Sequence, residues 1–169
     1  MSPLSPEQIL RALPYDPPMR FVSEILEVDD RHIVASYTWK DEDCAGHFRH
    51  EPVVPGVKIL ESAAQTGCVA WGLYHLSLTL SLEEIAGYVG LFSSIERGVF
   101  RRVLRPGQAV RMVASFGEEG YFRGNKIVSE VVVESADGSR EGEEVFSGRL
   151  AGLWLPRAFS AASEGVSLP

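Results

Sequence analysis

The sequence predicts an α+β fold in which one long apolar helix lies inside a curled, mostly antiparallel sheet of about six strands. Three observations predict it. From Val57 to Tyr74 the apolar residues follow a helical period and occupy most sides of the helix, with Lys58, Glu61 and Gln65 confined to a narrow polar stripe. From Tyr88 onward the chain alternates between β-prone runs and turn signals. Upstream of the helix, two further β-prone runs flank Asp29-Asp30 and read as a hairpin. A helix apolar on most sides is buried on most sides, and a small sheet can achieve that only by wrapping around it.

The elements follow in order. Residues 5–12 form a short helix, with Ser5 as cap and Pro6 in the first turn. Pro14, Pro17 and Pro18 then forbid regular structure. Arg20–Val28 and His32–Trp39 are the hairpin strands. Residues 40–56 fit neither a strand nor a helix pattern and form a polar loop stiffened by Pro52 and Pro55. Long structureless loops in compact domains usually carry function. After the central helix come strands over Tyr88–Arg102, Gln108–Gly117, Tyr121–Glu134 and Glu143–Trp154, the last two joined at Asp137-Gly138. Residues 157–169 are small and polar and are expected to form a frayed tail. The 169 residues make one domain, 1–169.

Composition narrows the function. Hydrophobic residues are 45% and charged residues 23%, which is globular composition. Sixteen basic against 23 acidic residues leave a net charge of −7, so a counterion-displacing nucleic-acid binder is excluded as the default. Cys44 and Cys68 are too few for a disulfide framework or a tetrahedral metal site. Neither a signal peptide nor an apolar run of about 18 residues is present, so a cytoplasmic protein without a membrane span is expected.

Chemistry concentrates in Gly46-His47-Phe48-Arg49-His50-Glu51-Pro52-Val53-Val54-Pro55-Gly56-Val57-Lys58-Ile59-Leu60-Glu61. His47 sits on the stiffened loop. Gly56 opens the helix, where free N–H groups and the helix dipole stabilise a developing negative charge. Glu61 follows about one turn later in a poorly hydrated setting, where a carboxyl can remain protonated and serve as an acid. Base, oxyanion donor and acid are the parts needed to remove a proton beside a carbonyl and expel a leaving group. A structural reading stands beside this one: His47 could cap a turn, Glu61 could pair with Lys58 or an arginine, and Gly56 could serve only to start the helix. His32, His75, Cys44 and Cys68 read as structural.

The segment resembles the signature of the FabZ-type 3-hydroxyacyl-acyl-carrier-protein dehydratases. Gly46, His47, Phe48, Pro52, Pro55, Gly56, Val57, Glu61 and Gln65 match it in type and spacing. Residues 13–19 with 25–28, and 94–107, resemble two further family segments. The resemblance implies a hot-dog fold, a homodimer with sites between subunits, and in some members a trimer of dimers. It implies His47 and Glu61 as the catalytic pair, with Gly56, Val57, Gln65 and Phe48 around the thioester. No metal or redox cofactor is implied, and the substrate arrives on the phosphopantetheine arm of an acyl carrier protein. Arg49 and His50 depart from the family's Pro-Gly, and Val103 and Gln108 depart further on. The expected activity is dehydration of a (3R)-3-hydroxyacyl thioester to the trans-2-enoyl thioester. A hot-dog thioesterase and a non-catalytic acyl-binding domain are the alternatives. Arg97, Arg101, Arg102 and Arg105, a run without acidic residues, are expected to dock the carrier, with Arg97, Arg101 and Arg105 on one strand face.

Overall fold

The computed structural model describes residues 2–157. Helix α1 spans Pro6–Ala12 and begins with a reciprocal capping box: Gln8 N–H donates to Ser5 Oγ at 3.3 Å, and Ser5 N–H to Gln8 Oε1 at 2.9 Å. It buries Ile9. Strands β1 (Glu24–Val28) and β2 (His32–Thr38) form the expected antiparallel hairpin. The first strand begins four residues later than expected. The Phe21 N–H is given to the Gln65 side chain rather than to a neighbouring strand. The loop after β2 also contains one 3₁₀ turn, Asp41–Cys44, where no regular element was expected. Its cause is Asp43, whose buried carboxylate accepts the Lys40 N–H and the Tyr37 hydroxyl, both at 2.9 Å.

The central helix runs as α2 (Gly56–Ala64), a π-helical segment (Gln65–Ala70) and α3 (Trp71–Ser77). The helical period did not reveal the π segment. Its carbonyls are met by sheet side chains: Ser129 Oγ donates to Gly67 O at 3.2 Å and Trp154 Nε1 to Cys68 O at 3.3 Å. Every residue of the segment is buried. A short helix α4, Leu82–Ile85, follows and was not anticipated, although Ser81 and Glu84 form a capping box that is legible as Ser-x-x-Glu.

Strands β3 (Tyr88–Phe100), β4 (Ala109–Ser115), β5 (Tyr121–Arg123), β6 (Lys126–Ser135) and β7 (Glu144–Pro156) complete one antiparallel sheet of seven strands. Its order is β1-β2-β4-β6-β7-β3, with β5 paired to β6. The single strand expected over Tyr121–Glu134 is a hairpin. Gly124, at φ +62°, and Asn125 turn the chain so that Arg123 faces Lys126. The sheet curls around the central helix in the hot-dog arrangement. Val110, Met112, Ile127, Val131, Val133 and Leu150 face the helix and are buried. Among the described residues no helix is long and apolar enough to cross a membrane. Of the expected tail, residues 158–169 lie outside the described residues.

Glycine lets helix and sheet touch. A β-carbon on Gly67 would lie 2.6 Å from Val131 Cγ2, and one on Gly72 would collide with the Trp154 indole, with Cε2 at 2.8 Å. Gly72→Ala gains about 1 kcal/mol of helix propensity but forces a rigid ring to move, which typically costs ~1–3 kcal/mol. The second effect wins, so Gly72→Ala lowers the urea midpoint. In the Trp154→Phe background the same substitution is better tolerated, a coupling that a double-mutant cycle measures.

His75 lies at the sheet among Trp71, Tyr74, Phe116 and Phe122, stacked on Phe122 at 5.1 Å. Burial pushes its imidazole down to about 4 from 6.5, opposed by the Asp30 charge. The folded state therefore holds His75 neutral while the unfolded chain binds a proton near pH 6.5. This contribution is complete above about 6.5 and is lost as pH falls toward 4. Urea midpoints measured from pH 7 to 4.5 should fall less steeply for His75→Phe than for the wild type.

Candidate active site

The loop carrying His47 is closed by its own backbone. His47 N–H donates to Cys44 O at 2.9 Å, Val53 N–H to His47 O at 2.8 Å, and Phe48 N–H to Glu51 O at 3.0 Å. Val54 N–H then ties the loop to Leu104 O at 2.8 Å. The His47 ring is half-buried and its Nδ1 lies 3.1 Å from Val53 O. A carbonyl oxygen can only accept, so Nδ1 carries the hydrogen and Nε2 of the neutral ring presents its lone pair. That is the tautomer of a general base. Phe48 stacks on the imidazole at 4.0 Å while remaining 61% exposed.

Gly56 is the first residue of α2, directly after Pro55. The N–H groups of Lys58 and Ile59 turn back to Pro55 O, at 2.9 and 3.3 Å, which leaves the Gly56 and Val57 N–H groups ahead of the first turn. A β-carbon at Gly56 would sit 3.3 Å from Cε1 of Phe100, so glycine here also makes room for that ring. Val57 is 73% exposed.

Glu61 is half-buried and Gln65, one turn on, is fully buried. The orientation of the Gln65 amide follows from its partners. Its oxygen accepts Phe21 N–H at 2.9 Å, and its nitrogen donates to Met19 O at 2.6 Å and to Glu61 Oε1 at 3.0 Å. One side chain thereby fixes the Glu61 carboxyl and binds the central helix to the segment before β1. Tyr15 belongs to the same proline-rich stretch. Burial, and then the nearby Glu61 and Cys68, hold its phenol above the usual range.

Sequence reasoning therefore placed Gly56, Glu61 and Gln65 on one helix correctly, and the structure joins Glu61 to Gln65. His47 and Glu61 share no hydrogen bond within the chain; their partners are Val53 and Gln65. Met19 and Phe21 were not anticipated, because backbone groups that receive a side chain leave no compositional mark. Phe100 was seen only as part of a strand, since its approach to Gly56 depends on how the sheet curls.

The arginines differ from expectation in two ways. Strand β3 ends at Phe100 and bulges between Glu96 and Val99, with Arg97 at φ +55°, so strand alternation does not assign Arg97, Arg101 and Arg105 to one face. Each also faces a carboxylate: Arg97 with Glu119 at 3.7 Å, Arg101 with Glu144 at 2.5 Å, Arg102 with Glu143 at 3.1 Å and Arg105 with Glu51 at 2.5 Å. The patch has mixed sign, because folding brings four glutamates from three other places in the chain to a run that is purely basic in sequence.

The comparisons with known proteins agree with this geometry. The family model described as ApeI-like, ApeI dehydratase, matches residues 27–133. A 3-hydroxyacyl-[acyl-carrier-protein] dehydratase FabZ of Clostridium tetani is 33% identical over 144 residues, covering 81% of this chain and 96% of that protein. The dehydratase heterocomplex ApeI:P of Xenorhabdus doucetiae aligns with a TM-score of 0.69 at 16% identity, covering 92% of this chain and 94% of that one. A thioesterase of Haemophilus influenzae aligns with a TM-score of 0.62, also at 16% identity, over 98% and 97%. At that identity the two structures establish the shared fold, while the family model and the Clostridium relative decide between its branches. With His47, Gly56, Glu61 and Gln65 arranged as described, the chain belongs to the FabZ-type, ApeI-like family of hot-dog dehydratases.

Proposed function

We propose that the protein removes water from (3R)-3-hydroxyacyl thioesters carried on acyl carrier protein, giving trans-2-enoyl thioesters for acyl-chain synthesis. The observation that carries this reading is the fixed orientation of the two reacting groups. His47 Nε2 is left free to accept a proton, while Glu61 is held by Gln65 with its second oxygen available. His47 takes the proton from the carbon next to the thioester. The electrons move toward the carbonyl oxygen, which the Gly56 N–H and the α2 dipole stabilise. They return to form the double bond as the C3–O bond breaks, and Glu61 gives its proton to the departing hydroxyl, which leaves as water. Two protons move and no electrons are gained or lost, so the step calls for no metal or redox cofactor. Phe48 and Val57, exposed beside His47 and Gly56, are placed to contact the thioester arm. In this reading the acidic carrier meets the rim at Arg97, Arg101, Arg102 and Arg105, in competition with their carboxylate partners, and the compartment is the cytoplasm.

A homodimer is part of the same reading. β3 ends the sheet order, and its outer edge carries Phe92, Ile95, Val99 and Phe100 at 36 to 49% exposure. A long apolar edge strand is a pairing surface. A second copy across it would bring a partner imidazole toward Glu61, consistent with the separate hydrogen bonding of His47 and Glu61 within one chain.

Enoyl-thioester hydration, the reverse reaction, tests the assignment by loss of absorbance without release of thiol; thiol release would instead indicate hydrolysis. His47→Ala and Glu61→Gln should each lower kcat by about 10²–10⁴-fold with little change in melting temperature. Near-wild-type turnover in either variant removes that residue from the mechanism. Ile95→Lys, placed on the β3 edge, should weaken self-association in sedimentation velocity and reduce activity in parallel. A fully active monomer would contradict the shared site.

A further inference from the structure

Lys58 lies in the first turn of α2, the place in a helix where a cation is least favoured by the dipole. It is half-buried. Its Nζ donates to the backbone carbonyl of Asp43 at 2.8 Å and stands 5.7 Å from the centre of the Phe21 ring. The Arg101, Arg102 and Arg105 charges are each met by a carboxylate, whereas that of Lys58 ends on a neutral carbonyl.

The acceptor is well anchored. Asp43 is 3% exposed, and its carboxylate is held by Tyr37 and Lys40. Tyr37 packs edge-on against Phe21 and Trp39, at 5.8 and 5.1 Å. The next residue, Cys44, accepts the His47 N–H at 2.9 Å. A short route therefore runs from the Lys58 ammonium through Asp43 O and Cys44 O to the backbone of His47. The other end of the Lys58 side chain is rooted two residues after Gly56.

We propose that Lys58 is a positioning residue of the dehydration: it locks the first turn of α2 to the turn preceding His47, and adds a positive charge to the turn that carries the oxyanion donors. The inference rests on the proposed acid–base mechanism. Base and oxyanion donor must hold a common geometry through the reaction, and a 1 Å misplacement can cost about 100-fold. A flexible loop with only backbone closure would hold His47 relative to itself. Lys58 holds it relative to Gly56. The ammonium also adds a full charge to the partial charge of the helix end, where the enolate oxygen develops its own.

The test uses the full-length protein and the hydration assay on an enoyl thioester, with Lys58→Met, Lys58→Gln and Lys58→Arg compared at matched melting temperature. Wild-type activity that vanishes in His47→Ala must be seen first; its absence would count against the proposed function, and Lys58 would then have no reaction to serve. Given that activity, Lys58→Met should lower kcat by about 10-fold or more with KM changed by less than about threefold, the pattern of an interaction felt mainly in the transition state. Lys58→Arg, which keeps charge and donors, should recover most of the rate. Wild-type kcat in Lys58→Met overturns the inference. So does a loss confined to KM, or an equal loss in the methionine and arginine variants. If Lys58→Met does not fold, Lys58→Gln decides: it retains a donor, of shorter reach and without charge, and wild-type kcat there overturns the inference.

Discussion

The candidate active site depends on one buried amide. Gln65 is wholly enclosed, and its three hydrogen bonds join Glu61, Met19 and Phe21. Burying an amide without partners costs several kcal/mol, so each of these bonds is enforced by the cost of leaving it unmade. The direction of the amide is decided by the backbone N–H of Phe21 on one side and the carbonyl of Met19 on the other. Glu61 then meets an N–H donor at a fixed place. An ordinary surface glutamate would sample many rotamers; this one is held by a network whose other members are backbone groups.

That network is only as rigid as the helix that carries it. The central helix lies against the sheet at glycine contacts, with Gly67 facing Val131 and Ser129, and Gly72 facing Trp154. Between them the π segment turns carbonyls toward Ser129 and Trp154, so helix and sheet are joined by hydrogen bonds as well as by packing. A site built on such a helix keeps its geometry because its support cannot slide without breaking both. The loop with His47 is held differently, by short-range backbone bonds, by Val54 on Leu104 and by Lys58 on Asp43. The proposed catalytic pair thus comes from a rigid helix and a pinned loop.

Charge is arranged locally against an acidic whole. The chain carries −7 overall, yet the end of β3 and the residues beyond it hold four arginines that are each offset by a glutamate. Exposed pairs of this kind contribute little to stability, so their effect lies in shaping the local field. Beside the α2 terminus the balance differs, since the Lys58 ammonium donates to the backbone carbonyl of Asp43 rather than to a carboxylate.

The sequence by itself determined the architecture and the family to which the chain belongs. A helix apolar on most sides, followed by alternating strands, has few ways to bury itself, and the spacing of His47, Gly56, Glu61 and Gln65 is a local property carried by a rigid period. Local signals also mark two smaller elements: Gly124-Asn125 the β5–β6 hairpin, and Ser81 with Glu84 the start of α4. Tertiary structure alone decided the rest. The π segment answers to Ser129 and Trp154, which lie more than sixty residues away in sequence. The late start of β1 follows from a Phe21 N–H claimed by Gln65, 44 positions distant. The arginine run became a mixed patch because Glu51, Glu119, Glu143 and Glu144 converge on it. Contacts between distant segments depend on how the sheet curls, and a one-dimensional pattern of apolar and polar residues does not encode which backbone group or carboxylate will arrive at a given side chain.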